Sequence, residues 1–157
     1  MTNRITMAQS PKGLLDGLVK TEFFIKKSGM DLRLIELIKY RVSQINGCAY
    51  CLDMHHREAL QLGESELRLH TVIAWKECPY FTVKERAALH LAEALTQAQP
   101  LHVSDELYKE LSQHFTPEEI AVLTVAIATI NSWNRLNITF GSVPATYNEQ
   151  IPATSPV

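Results

Sequence analysis

The chain has no apolar run long enough to span a bilayer. Its longest, AVLTVAIATI from Ala121 to Ile130, is about half of the ~20 residues a transmembrane helix needs, so a buried helix is expected there and no membrane partner. The opening MTNRITMAQSPKG has no continuous apolar region of the kind a secretory signal uses, which predicts a cytoplasmic protein. There is no basic excess either: 15 Lys and Arg against 17 Asp and Glu give a formal charge of −2, and a nucleic-acid partner is not expected. Strict apolar–polar alternation is missing, so strands are not expected. No internal repeat, low-complexity segment or Gly/Ser/Pro-rich linker divides the 157 residues, which suit one domain with a core of its own.

Apolar residues instead recur at spacings of three and four, the period of helices packed by one face. The predicted fold is an all-α, single-domain bundle of about seven helices, at 11–28, 31–46, 48–62, 65–77, 82–98, 104–114 and 117–139. Start signals mark most of them: Ser10 before Pro11, Asp31, Thr82 with Glu85, Ser104, and Thr116 before Pro117. Each supplies a side-chain cap, an early proline or a negative charge where free N–H groups collect. Gly29, Gly47, Gly63 and Gly141 fall where left-handed helix ends are needed. Residues 142–157 read as a C-terminal arm. The last helix, with Val122, Leu123, Val125, Ile127 and Ile130, is apolar on nearly all sides, so association into a homo-oligomer is expected to cover part of it.

Cysteine is scarce, and its number is odd. Three residues cannot form a fully paired framework within one chain, and a reducing compartment disfavours structural bridges. Cys78, in KECPYF, stands alone and reads as a small hydrophobe at a helix end. Cys48 and Cys51 lie together in NGCAYCLDMHH, residues 46–56. A helix starting after Gly47 puts Cys48 at its N-terminus, where free N–H groups and the helix dipole favour a thiolate. Cys48, Cys51 and His55 then share a stripe that continues to Ala59 and Leu62 and should face inward. His56 is rotated off it and reads as solvated or capping.

Two cysteines three apart on one helix can close a reversible disulfide. The same residues with His55 could ligate zinc, but no second CxxC or HxxxH completes such a site. They could also be unreactive core residues. In the preceding segment DLRLIELIKYRVSQING, Glu36 lies off the apolar stripe, on a face shared with Tyr40 and Ser43. It is either a solvated charge beside Lys39 or Lys20, or, if the helices fold back on each other, a neighbour of the cysteines.

Glu36, eleven residues, then Cys48-x2-Cys51-x3-His55 resembles the active-site signature of the alkylhydroperoxidase D-like branch of the carboxymuconolactone decarboxylase superfamily. WKECPYFTVKERAALHLAEALT and FTPEEIAVLTVAIATINSWNRLNITFG are similar to the segments that follow it there, so the resemblance covers about residues 20–141. It implies an all-helical fold in dimers, trimers or hexamers, and thiol peroxidase or disulfide-exchange chemistry without flavin, haem or metal. Carried over, Cys51 attacks a hydroperoxide, Cys48 resolves the sulfenic acid, and His55 and Glu36 relay protons. A dithiol protein would serve as reductant. The helix terminus alone favours Cys48 as the ionised thiol, whereas His55, four residues from Cys51, suits the family's order. Where the archetype has histidine before the second cysteine this chain has Tyr50, which donates a hydrogen bond but is no base near neutral pH. Asn131, Trp133, Asn134 and Arg135 read as helix-packing and interface residues, and NIT at Asn137 fits a glycosylation sequon that a cytoplasmic chain would not use. Alternative readings are a disulfide oxidoreductase or redox-sensing helical assembly without peroxidase activity, and a carboxy-lactone decarboxylase, which would not explain the paired cysteines.

Overall fold

A computed structural model describes residues 3–97 and 103–145. Among these there are seven α-helices and no strand: α1 (Asp16–Lys27), α2 (Leu32–Asn46), α3 (Ala49–Gln61), α4 (Glu66–Thr71), α5 (Val83–Thr96), α6 (Asp105–Ser112) and α7 (Pro117–Phe140). Short 3-10 turns add Met7–Gln9 and Val72–Ala74. The predicted arm falls mostly outside the described residues.

Four of the five expected starts are capped as expected, whereas Ser10 caps no helix start and α1 begins after Leu15 without a side-chain cap. Asp31, Thr82, Ser104 and Thr116 each accept a hydrogen bond from a backbone N–H in the first turn, and Glu85 and Glu119 complete capping boxes; such caps are each worth about 1 kcal/mol. Two expectations are corrected. Residues 11–15 do not join α1, because Gly13 adopts φ +82° and breaks any helical path through it. The predicted helix 65–77 stops at Thr71 and tightens into the 3-10 turn. There β-branched Thr71, Val72 and Ile73 crowd the turn, and the Thr71 hydroxyl folds back onto the Leu67 carbonyl at 2.8 Å.

The second helix is the axis of the molecule, packed against α3, α5 and α7. Leu34, Ile35, Ile38 and Val42 enter a main core with Ala88, Leu91, Leu111, Leu123, Ile127 and Ile130, each large side chain contributing about 1.5–3 kcal/mol by leaving water. A smaller cluster of Leu37, Ala59, Leu69, Val72, Trp75, Phe81 and Leu89 lies beside it, with Cys78 at its margin. Cys78 thus belongs to a different cluster from Cys48 and Cys51. The last helix is only partly wrapped by its own chain: Val125 and Ile138 stay exposed.

Candidate active site

The connection between α2 and α3 positions the site. Gly47 ends α2 in the left-handed region at φ 67°, and the Cys48 N–H returns to the Ser43 carbonyl at 3.1 Å, the hydrogen-bond pattern of a glycine-terminated helix. Cys48 is the very next residue and caps α3, its Sγ accepting from the Cys51 N–H at 3.4 Å. The sequence placed Cys48 in the first turn; it is the cap. The tight reversal folds α3 back along α2, which brings Glu36 against the inward face of α3.

Cys48 and Cys51 are joined in a disulfide, with Cα atoms 5.4 Å apart. Both are buried, as are His55 and Ala59, while Leu62, expected to continue the inward stripe, is exposed. Beyond Ala59 the chain turns away at Gly63, so the last position of the stripe has no partner helix to face. His56 is half-buried and pairs with Glu66 at 2.9 Å, apart from the cysteines.

Glu36 is no solvated charge. Only 3% exposed, its Oε2 lies 2.6 Å from His55 Nδ1 and its Oε1 3.9 Å from the buried Lys39 ammonium. Burial pushes the Glu36 carboxyl up, but the bond to His55 and the charges of His55, Lys39 and Lys26 outweigh that push and hold it below the ordinary carboxylate range. An ionised carboxylate only accepts, so His55 Nδ1 donates the shared proton, and in the neutral form of the ring Nε2 is the acceptor. That Nε2 is buried and has no partner in the protein. Lys39 closes the network with Glu22 at 2.5 Å, and Lys26 pairs with Glu58 at 3.5 Å. Lys20, one of the partners considered from sequence, takes no part in these bonds; Lys26 and Glu22 do.

His55, Tyr50, Met54, Glu58, Met7, Trp133 and Asn137, together with Glu22, Lys26 and Lys39, line a cavity of about 280 Å³. Met7 reaches it because the Arg4 and Ile5 N–H groups bind the Phe140 carbonyl and hold the N-terminal segment over the end of α7. A second hollow, about 460 Å³, is lined by Cys48, Gly47, Ala49, Ile138 and Gly141 among others, and shares Tyr50 and Asn137 with the first. Glu36, His55 and Glu58 bring one ligand atom each within 4.8 Å of one another. Their charges are already engaged by Lys39 and Lys26, so a cation would have to compete with two ammonium groups. The zinc set considered from sequence is not available in this state, since both of its sulfurs are in the disulfide.

Asparagine 137 was missed as a site residue. It is buried, and its Nδ2 lies 3.5 Å from Cys51 Sγ and 3.0 Å from the Trp133 carbonyl; a buried amide is no glycosylation acceptor. The signal was there in the spacing, since Asn131, Asn134 and Asn137 run three apart along one face of a largely apolar helix. Asn131 and Asn134 both accept from Asn46 Nδ2, at 2.9 and 2.8 Å, and Asn134 donates to Ser43 at 3.1 Å. They tie α7 to the end of α2, the packing role expected of them. Arg135 supports Asn131 through its backbone carbonyl at 2.7 Å.

An all-helical domain with a closed CxxC pair at a helix start and a buried carboxylate–imidazole pair on the facing helices is an alkylhydroperoxidase D-like architecture. Residues 13–94 match the model of the carboxymuconolactone decarboxylase family, and the chain belongs to that family. It is 39% identical over 143 residues to the uncharacterized protein YdfG of Bacillus subtilis (strain 168), covering 90% of this chain and 97% of that one. The crystal structure of a protein of unknown function from Agrobacterium tumefaciens, described as a candidate antioxidant defence protein AhpD, superposes with a TM-score of 0.86 at 38% identity. That match covers 91% of this chain and 98% of the other. The debrominase Bmp8 shares the fold, with a TM-score of 0.74 at 22% identity over 83% of this chain and 70% of its own.

Proposed function

We propose that the protein is a cysteine-dependent peroxidase that reduces alkyl hydroperoxides or hydrogen peroxide through the Cys48–Cys51 pair. The observation that carries the reading is the bare, buried Nε2 of His55, held by ionised Glu36 and one helical turn from Cys51. A base fixed in tautomer and orientation by a carboxylate is the arrangement that activates a nucleophile. Cys51 yields its proton to His55, and the thiolate attacks the terminal peroxide oxygen. Alcohol or water leaves, and Cys51 becomes a sulfenic acid. Cys48 condenses with it to the disulfide and releases water, the reversible exit from the oxidation ladder. A dithiol partner protein then reduces the pair. The candidate antioxidant description of the A. tumefaciens relative points the same way.

Assembly into a homo-oligomer is part of this reading, supported by Val19, Phe23 and Phe24 on α1 and Val125 and Ile138 on α7, all exposed. Light scattering on the purified protein checks it.

The test of function is stopped-flow oxidation of the reduced protein by cumene hydroperoxide, with mass spectrometry, on wild type, Cys48→Ser and Cys51→Ser. Rapid loss of two hydrogens in wild type, with a sulfenic acid trapped on Cys51 in Cys48→Ser, is the expected result. A wild type that reacts no faster than a free thiol removes peroxide as the substrate and leaves disulfide exchange.

A further inference from the structure

We propose that Asn137 tunes Cys51 for reaction, its Nδ2–H group stabilising the thiolate while its Oδ1 aligns the hydroperoxide O–H. The alignment half rests on the peroxidase reading above; the thiolate half does not.

The orientation of the amide is fixed by the backbone. Nδ2 lies 3.0 Å from the Trp133 carbonyl and 3.5 Å from Cys51 Sγ. A carbonyl oxygen only accepts, so a flipped amide would set two acceptors against each other. Both Nδ2 hydrogens are therefore committed, one to Trp133 and one toward the sulfur. Oδ1 is left buried with no partner in the protein, as is His55 Nε2, and these are the two such side-chain atoms among the described residues. Each unpaired buried acceptor costs about 1–3 kcal/mol. Both residues line one cavity; once Nε2 holds the Cys51 proton, Oδ1 is the acceptor left for a donor, and the terminal O–H of a hydroperoxide is a donor. The wall beside them, Met7, Tyr50, Met54 and Trp133, is apolar and suits a compact organic tail.

The step balances as follows. Cys51 S–H passes its proton to His55 Nε2, and the thiolate is held by Asn137 Nδ2–H. The terminal O–H of the peroxide donates to Asn137 Oδ1, which points the O–O bond at the sulfur. The S–O bond forms as the O–O bond breaks. Sulfur is oxidised, the peroxide is reduced, and the electron pair departs on the alkoxide, which takes the proton from His55. The hydroxyl stays on sulfur, and its O–H remains bonded to Oδ1 until Cys48 displaces it as water.

Other ionisable groups face this region and would set the background pH response. His55 and Tyr50 come from α3 with Glu58, Glu36 and Lys39 from α2, and Glu22 and Lys26 from α1, while Arg4 borders the second hollow. Helix α7 contributes no titratable side chain to either cavity lining. Replacing Asn137 thus changes the donor without removing a charge.

The experiment follows alkylation of Cys51 by iodoacetamide as a function of pH in a Cys48→Ser background, resolved from Cys78 by peptide mass spectrometry, with Asn137 kept or changed to Leu or Asp. The midpoint should rise by about one pH unit in Asn137→Leu, a tenfold loss of thiolate at neutral pH, and further in Asn137→Asp, where a carboxylate faces the sulfur. An unchanged midpoint in a folded variant overturns the thiolate half, and the near-isosteric Asp variant serves where Leu does not fold. Above both midpoints, cumene hydroperoxide oxidation should fall about tenfold in Asn137→Leu while alkylation does not. Parallel or absent changes overturn the alignment half. A wild type inert to peroxide with a shifted midpoint sinks the alignment half with the peroxidase reading and upholds the thiolate half.

Discussion

Two buried glutamates, Glu36 and Glu93, are both held below the ordinary carboxylate range against the upward push of burial, yet they are built differently. Glu93 is saturated: its Oε1 accepts from Arg41 Nε at 3.1 Å, Arg41 Nη2 at 2.6 Å and Trp75 Nε1 at 2.9 Å, and its Oε2 pairs with Lys76 at 3.1 Å. Every donor finds its acceptor, and the cluster pins α2 to α5. Glu36 instead ends in a histidine whose other nitrogen is unpaired. A finished polar network rigidifies, whereas one that leaves a buried acceptor unpaired beside a nucleophile is equipped for chemistry.

The sharpest way to break this contrast is to exchange the consequences. His55→Gln, and separately Glu36→Gln, should slow oxidation of reduced protein by peroxide about 10²–10⁴-fold, the usual range for a general base, as read by stopped flow. Equal rates in wild type and both variants would make the Glu36–His55 pair a structural twin of Glu93. Conversely, Glu93→Gln should leave the oxidation rate unchanged while lowering stability by about 3–5 kcal/mol in urea unfolding, because Arg41 stays buried beside a neutral amide.

Acid tests both glutamates together. A carboxylate held below its unfolded value of about 4.3 binds fewer protons folded than unfolded, so protons favour the unfolded chain. Stability should be fully present above that pH and should be lost as pH falls through the folded values. Thermal melts between pH 7 and 3 should show a fall that is shallower in Glu93→Gln and Glu36→Gln than in wild type.

Smaller effects separate backbone from charge. Gly47→Ala should cost about 1–2 kcal/mol, since a left-handed φ penalises a Cβ even though nothing lies within 4 Å of where it would sit. Lys26→Met should change stability by less than ~1 kcal/mol, because its pair with Glu58 is half exposed. A large loss there would mean that the cavity rim matters to folding as well as to the site.

The sequence was most legible where the physics is local. Helix caps, the left-handed glycines and the 3.6-residue period depend on neighbours a few positions away, and most of the elements followed from them. The failures were local overrides of the same kind, at Gly13 and in the β-branched run after Thr71. The inward stripe of Cys48, Cys51 and His55 was also readable, as spacing on one helix. By contrast, Glu36 was ambiguous and Asn137 was read only as a sequon, because the environment of each is made by a different helix.

By itself, then, the sequence determined the all-α class, most of the helix starts, and the CxxC-x3-H stripe with a glutamate before it, eleven residues intervening. Only the tertiary structure decided that Glu36 binds His55, that His55 Nε2 is left bare, that Lys39 is buried between two carboxylates, and that Asn137 reaches Cys51 across 86 positions of chain. Periodicity and capping report forces between residues adjacent in the chain. The protonation and reactivity of a buried group are set by whatever folding brings within hydrogen-bonding distance.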